Sequence, residues 1–144
     1  MVETNIFYED VDMGYEIGPL EAEMTRLKIV NFVKEAKLNN FKRFIDEEFA
    51  RSEGLGGAIV PGSYSMSLFS KMLTDRFGAG SIKKLEVNYR GLIHHGEVVT
   101  CRGMVINKLT AGDENLLECD VYMENQRGEK PIKGSAMIVL PSGG

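Results

Sequence analysis

The pattern of apolar and polar positions changes character twice along the chain. After an irregular start, residues 15–24 read as a strand, punctuated by Gly14 and by Gly18-Pro19. Residues 26–38 then follow a helical period. Ile29, Phe32, Val33 and Ala36 recur at i, i+3, i+4 and i+7, while Lys28, Asn31, Lys34, Glu35 and Lys37 fill the other side. Residues 46–52 suit one or two further turns, closed by Gly54. Gly56-Gly57 and Pro61-Gly62 lead into a second helix over residues 63–77, and its character differs from the first. Tyr64, Met66, Leu68, Phe69, Met72, Leu73 and Phe77 spread around much of its circumference, with no charge between Ser63 and Ser70. A helix apolar nearly all round is expected to be buried. Gly78 and Gly80 supply its stop.

After Gly80 the period becomes two. Leu85, Val87 and Tyr89 alternate with charged and amide neighbours. Val99, Cys101, Gly103 and Val105 share a face, and beyond a turn at Gly112 so do Leu117, Cys119, Val121 and Met123. Residues 132–140 close the series after a turn at 126–128. Clean alternation predicts antiparallel strands with one wet face. One long apolar helix and about five such strands bury each other best when the sheet curls around the helix, an α+β arrangement expected to form a single domain over residues 1–144. An open sheet of this kind leaves edges, so an edge-to-edge dimer is expected.

Composition narrows the picture. A chain of 144 residues can bury a real core without staples. Net charge is −4 and the lysines and arginines are scattered, so no basic face recommends a nucleic-acid partner. The acidic start holds no apolar leader-like run, and nothing approaches the roughly 18 apolar residues of a spanning helix. A cytoplasmic protein without a membrane partner is the expectation. Cys101 and Cys119 lie in strand-like segments without metal-ligand spacing, so free buried thiols and no metal site are expected. With the turn centred on Ala111-Gly112, the two cysteines would not stand opposite each other.

The segments FYEDVDMGYEIGP and IDEEFARSEGLGGAIVPGSYSMSLFSKMLTDRFGAGSIKKLEVNYRGLIHHGEVVTCRGMV closely resemble the MaoC-like acyl dehydratases and (R)-specific enoyl-CoA hydratases. The resemblance runs in order and with similar spacing over about nine-tenths of the chain. It implies the hotdog fold and an acyl-CoA thioester as ligand, with coenzyme A as carrier and no other cofactor. The family's signature is a GDxNPxH loop just upstream of DEEFA, whose aspartate and histidine are the acid–base pair that adds or removes water. That chemistry needs one group to activate water and another to handle the α-proton.

Here residues 36–45 contain no acid and no histidine. Counting back from Asp46 puts Asn39 at the family's aspartate and Phe44 at its histidine. Counting forward from Thr25-Arg26 gives Leu38 and Arg43 instead. Asparagine accepts no proton near neutral pH and phenylalanine does not titrate. No catalytic residue is therefore assigned. Gly62 corresponds to the residue whose backbone N–H meets the thioester carbonyl in the family; alternatively Pro61-Gly62 makes a plain turn and Ser63 caps the helix. Asn39, Asn40 and Phe41 are the other candidate substrate-binding residues, and Phe41 and Phe44 are placed to floor or plug an acyl channel. Lys42, Arg43, Lys84 and Arg90 are available to coenzyme A phosphates. The only histidines, His94 and His95, are read as exposed in a turn, and Asp46 and Glu47 as solvated charge starting a surface helix.

The resemblance thus implies a non-catalytic subunit that helps bind an acyl thioester, either as a homodimer or in a heterodimer with a catalytic MaoC-like subunit. The alternatives are an active hydratase or dehydratase with altered acid–base groups, and an acyl-CoA binding or sensing module.

Overall fold

The computed structural model describes residues 6–143. Residues 1–5, where the acidic start begins, and Gly144, the end of the tail, lie outside the described residues. Five strands form one sheet: β1 (Glu16–Glu23), β2 (Ile82–Tyr89), β3 (Val98–Ala111), β4 (Glu114–Glu124) and β5 (Ile132–Leu140). Their spatial order is β1-β3-β4-β5-β2, every neighbouring pair antiparallel. Three helices stand between β1 and β2: α1 (Arg26–Glu35), α2 (Glu47–Ser52) and α3 (Gly62–Phe77).

The alternation sorts side chains as expected. Val99, Cys101 and Val105 of β3 and Leu117, Cys119, Val121 and Met123 of β4 are all buried, in one core with Phe69, Met72, Leu73 and Phe77 of α3. Each large apolar side chain fully withdrawn from water contributes about 1.5–3 kcal/mol, so this sheet–helix interface supplies most of the drive to fold. The two thiols are free and buried, which pushes both pKa values up to about 12. They do not pair across the ladder: Cys101 faces Met123, and Cys119 faces Val105.

Turn chemistry sets the joints. Gly112 adopts φ +62° in the two-residue connection between β3 and β4, a backbone region that favours glycine. Between β4 and β5, Asn125 organises the turn. Its side-chain oxygen accepts from the N–H groups of Arg127 and Glu129, each at 3.0 Å.

Three expectations need correction. α3 is not buried all round. Ser65, Phe69, Met72, Leu73 and Phe77 are buried, but Ser63, Ser67, Lys71 and Asp75 form an exposed stripe at four-residue spacing. A circumference rich in serine reads as apolar in sequence, yet serine tolerates water. α3 also begins one residue earlier, with Pro61 rather than Ser63 at its cap and no side-chain capping bond. Finally, α1 stops at Glu35 rather than continuing to 38. Lys37 takes φ +58°, and Leu38 N–H donates to Val33 O at 2.8 Å, a left-handed C-terminal motif that turns the chain away.

Candidate functional site

The chain after α1 is committed to a compact loop by its own backbone. Phe41 N–H donates to Leu38 O at 2.9 Å, a short 3-10 turn covers Lys42–Phe44, and the Asp46 carboxylate caps α2 by accepting from Phe49 N–H at 3.0 Å. That places Asp46 and Glu47 at the start of a short surface helix, where Glu47 pairs with Arg51 at 3.7 Å. The loop is docked from three directions. Arg26 donates to Ile45 O at 2.7 Å, Ile59 N–H donates to Arg43 O at 3.0 Å, and the His95 ring nitrogen Nε2 lies 2.8 Å from Phe44 O.

The histidines are therefore not loose in a turn. Both are half-buried, and His94 Nε2 lies 2.6 Å from Leu55 O while Nδ1 faces Glu97 at 3.4 Å. Carbonyl partners require Nε2 of each ring to carry a proton and donate it. This corrects the exposed-turn reading: the 91–97 connection closes over the loops at 43–45 and 55–59, and two imidazoles supply the donors. Burial of the ring holds the His95 pKa below its ordinary value, with Arg26 and His94 acting in the same sense. The bond to Phe44 and the charge of Glu47 oppose the shift.

Opposite this loop stands the N-terminus of α3. Pro61 O accepts from Tyr64 N–H at 3.0 Å and Ser65 N–H at 3.4 Å. The N–H groups of Gly62 and Ser63, one step earlier, find no acceptor among the described residues. Unpaired amides at a helix start attract a carbonyl or anionic oxygen. The Tyr89 hydroxyl donates to Gly62 O at 2.9 Å, and its ring packs so closely that a Cβ at position 62 would lie 2.8 Å from it. Close approach of that ring, not an unusual φ, favours glycine there.

Two clefts meet at this point. One, of about 310 Å³, is lined by Leu38, Phe41, Phe44, Pro61 and Ser63. The other, of about 330 Å³, runs inward between Val60, Ser65, Tyr89, Ile93 and Ile132. Gly62, Phe44 and Arg43 line both, so Phe44 sits as a saddle between them, its ring 6.0 Å from that of Phe41. Arg43 is the only charged side chain lining either cleft among the described residues.

The structure thus brings together Gly62, Phe41 and Phe44 but not Asn39 and Asn40. Those two occupy an exposed turn and line neither cleft. Of the four candidate cations only Arg43 reaches the clefts. Lys42 lies 5.8 Å over the Phe49 ring, Lys84 pairs with Glu86 at 3.4 Å, and Arg90 lines a separate, wider groove of about 760 Å³ shared by β2 and β5. Ser65 and Tyr89 were not singled out in the sequence. Tyr89 reads there as one more alternating strand residue and Ser65 as one serine among several.

Comparisons with known proteins agree with this fold. A family model described as "FAS1-like, dehydratase domain region" matches residues 11–133. No curated protein matches the chain. Among solved structures, the unliganded R-hydratase PhaJ1 of Pseudomonas aeruginosa superposes with a TM-score of 0.83 at 21% identity, covering 96% of this chain and 87% of that one. The MaoC-like dehydratase of Rhodospirillum rubrum gives 0.81 at 20% identity, over 96% and 98% of the two chains. A chain of the ChsH1-ChsH2 complex of Mycobacterium tuberculosis gives 0.78 at 18% identity, over 90% and 98%. At these identities the likeness concerns the fold, which is the expected hotdog architecture. Among the described residues no helix is long and apolar enough to cross a membrane.

Proposed function

The chain belongs to the FAS1-like dehydratase-region family, that of the MaoC-like hydratases and dehydratases, and on that premise we propose that it is a non-catalytic subunit that holds an acyl thioester for an active homologue. The observation that carries this reading is the lining of the two clefts at the start of α3: free helix N–H groups at Gly62, a single cation at Arg43, and otherwise uncharged walls. The thioester carbonyl would be held by the Gly62 N–H, whose aligned helix amides favour partial negative charge. The inward cleft takes the acyl chain. The outer cleft, where Phe41 is half-exposed, takes the pantetheine arm of coenzyme A, and Arg43 stands at the junction.

A carbonyl held in this way is polarised but not hydrated. Adding water needs a base on the water and an acid for the α-carbon. Neither Asn39 nor Phe44 can serve, and the family resemblance puts the acid–base pair at those positions. A dyad-bearing partner subunit supplies the chemistry in this reading. The ChsH1-ChsH2 structure is itself a complex of two named chains.

Hydration of crotonyl-CoA tests the proposal. The purified chain alone should run at background, because each missing general acid or base forfeits roughly 10²–10⁴-fold. Co-expression with a dyad-bearing homologue from the same host should yield a co-purifying pair with turnover in the ordinary enzyme range. A turnover of about 1 s⁻¹ or more by the isolated chain would overturn the non-catalytic reading.

A further inference from the structure

The 91–97 connection between β2 and β3 does more than reverse the chain. Gly91, Leu92 and Ile93 line the inward cleft, and the residues around them fasten that wall to the loops on either side. Val60 N–H donates to Ile93 O at 2.7 Å, and His95 N–H donates to Ala58 O at 3.3 Å. The His94 ring reaches Leu55 O and the His95 ring reaches Phe44 O. Two imidazoles are thus among the fastenings of the cleft, and one of them holds the residue that forms the saddle between the two clefts.

The two rings meet opposite charges at their other nitrogen. His94 Nδ1 faces Glu97 at 3.4 Å, so a proton added there completes an ion pair. His95 Nδ1 faces the Arg26 guanidinium at 3.5 Å, so a proton added there sets two donors and two positive charges against each other. Arg26 also holds the saddle, donating to Ile45 O at 2.7 Å beside the bond from His95 to Phe44 O. Two adjacent carbonyls therefore hang on two side chains that fit together best while His95 is neutral. Burial, and after it Arg26 of α1 and the neighbouring His94, oppose the charged ring, while the bond to Phe44 and the carboxylate of Glu47 in α2 favour it. The cations of the 3-10 turn stand elsewhere, Lys42 over the Phe49 ring and Arg43 in the clefts.

We propose that His95 is a positioning residue for the acyl thioester, and that acid weakens the hold of the site on its ligand by charging this ring. Protonation drives His95 and Arg26 apart, and one of the two carbonyls loses its donor. Phe44 is then held by packing against Phe41 and the core, so a ligand has to order the saddle as it binds. The linkage is reciprocal: a bound thioester, which uses the ordered saddle, favours the uncharged ring. This rests on the reading of the two clefts as an acyl-thioester site.

Isothermal titration of the full chain with S-butyryl pantetheine tests the inference, because that thioester has no phosphate and no other group that titrates between about pH 5.5 and 7.5. Binding should be about threefold or more weaker at pH 5.5 than at pH 7.5, the worth of one hydrogen bond to the saddle. His95→Gln keeps a donor for Phe44 O but does not titrate, so its affinity should change by less than about 1.5-fold over that range. Arg26→Gln keeps a donor for Ile45 O and removes the opposing charge, so it should flatten the profile although His95 still titrates. Circular dichroism checks that each variant is folded at both pH values. Equal affinity of the unsubstituted chain at the two pH values overturns the proposal, and that comparison needs no variant. A pH response that persists in either folded variant also overturns it. If the thioester binds at neither pH, the acyl-thioester reading itself falls and the pH response goes with it, a result distinct from binding that ignores pH.

Discussion

At the residue scale, His95 shows how the site is held. Its Nε2–H supports Phe44 O, and its Nδ1 lies 3.5 Å from the Arg26 guanidinium, so the ring is favoured in its neutral form. With its folded pKa lowered by burial, the unfolded chain binds a proton that the folded chain does not as pH falls through about 6.5. This contribution is complete above that pH. It is lost progressively as the pH falls from there to the folded pKa. Urea unfolding should give a lower midpoint at pH 5.5 than at pH 7.5. His95→Gln can still donate to the carbonyl but does not titrate, so it should flatten that difference; an unchanged pH dependence would assign it to other groups. None of this was legible in the sequence. The histidine partners are backbone carbonyls 39 and 51 residues away, and no spacing rule reaches so far. Ser65 escaped notice for a related reason: only its burial distinguishes it from Ser63, Ser67 and Ser70 on the same helix.

At the element scale most of the fold was legible, because each strand buries one face and the period-two pattern records which. The β3–β4 alternation of Val99, Cys101, Val105 with Leu117, Cys119, Val121 maps directly onto the buried face. Sheet order was not legible. β2 pairs with β5 across more than forty intervening residues, and β3 slips register between Val105 and Asn107, after which Asn107 is exposed where strict alternation would bury it. Two glycines separate local tolerance from element-level constraint. A Cβ on Gly134 of β5 would lie 2.0 Å from Glu86 O and 2.8 Å from the Val87 Cα in β2, both backbone atoms that cannot yield without parting the strands. A Cβ on Gly62 meets only the end of the half-exposed Tyr89 side chain, which can swing aside and forfeit its bond to Gly62 O. Gly134→Ala is therefore expected to cost about 3 kcal/mol in urea unfolding, and Gly62→Ala only about 1 kcal/mol. Comparable costs would mean that the β2–β5 pairing is more pliable than the geometry indicates.

At the scale of the whole molecule, the free edge of β2 is the feature a lone chain handles least well. Beyond β5 on one side, β2 has no further strand, so its outward backbone groups are open to pairing. The groove of about 760 Å³ spans this edge strand, between Met66 of α3, the 86–90 stretch and residues 133–135 of β5. The exposed stripe of α3, Ser63, Ser67, Lys71 and Asp75, belongs to the same helix and is otherwise uncovered. A second copy, or a homologue, laid antiparallel against β2 would satisfy the edge and cover the groove in one two-fold contact. The isolated chain is accordingly expected to sediment as a dimer at micromolar concentration. Met66→Arg places a charge in the groove, and two-fold symmetry would set a second arginine in the same contact. Because position 66 is only half-buried, the long side chain can reach water in a single chain, so the fold should persist. The variant should sediment as a monomer with an unchanged circular dichroism spectrum. A Met66→Arg dimer would move the interface away from β2, and a monomeric parent chain would mean that the edge is covered only in a mixed assembly with another subunit.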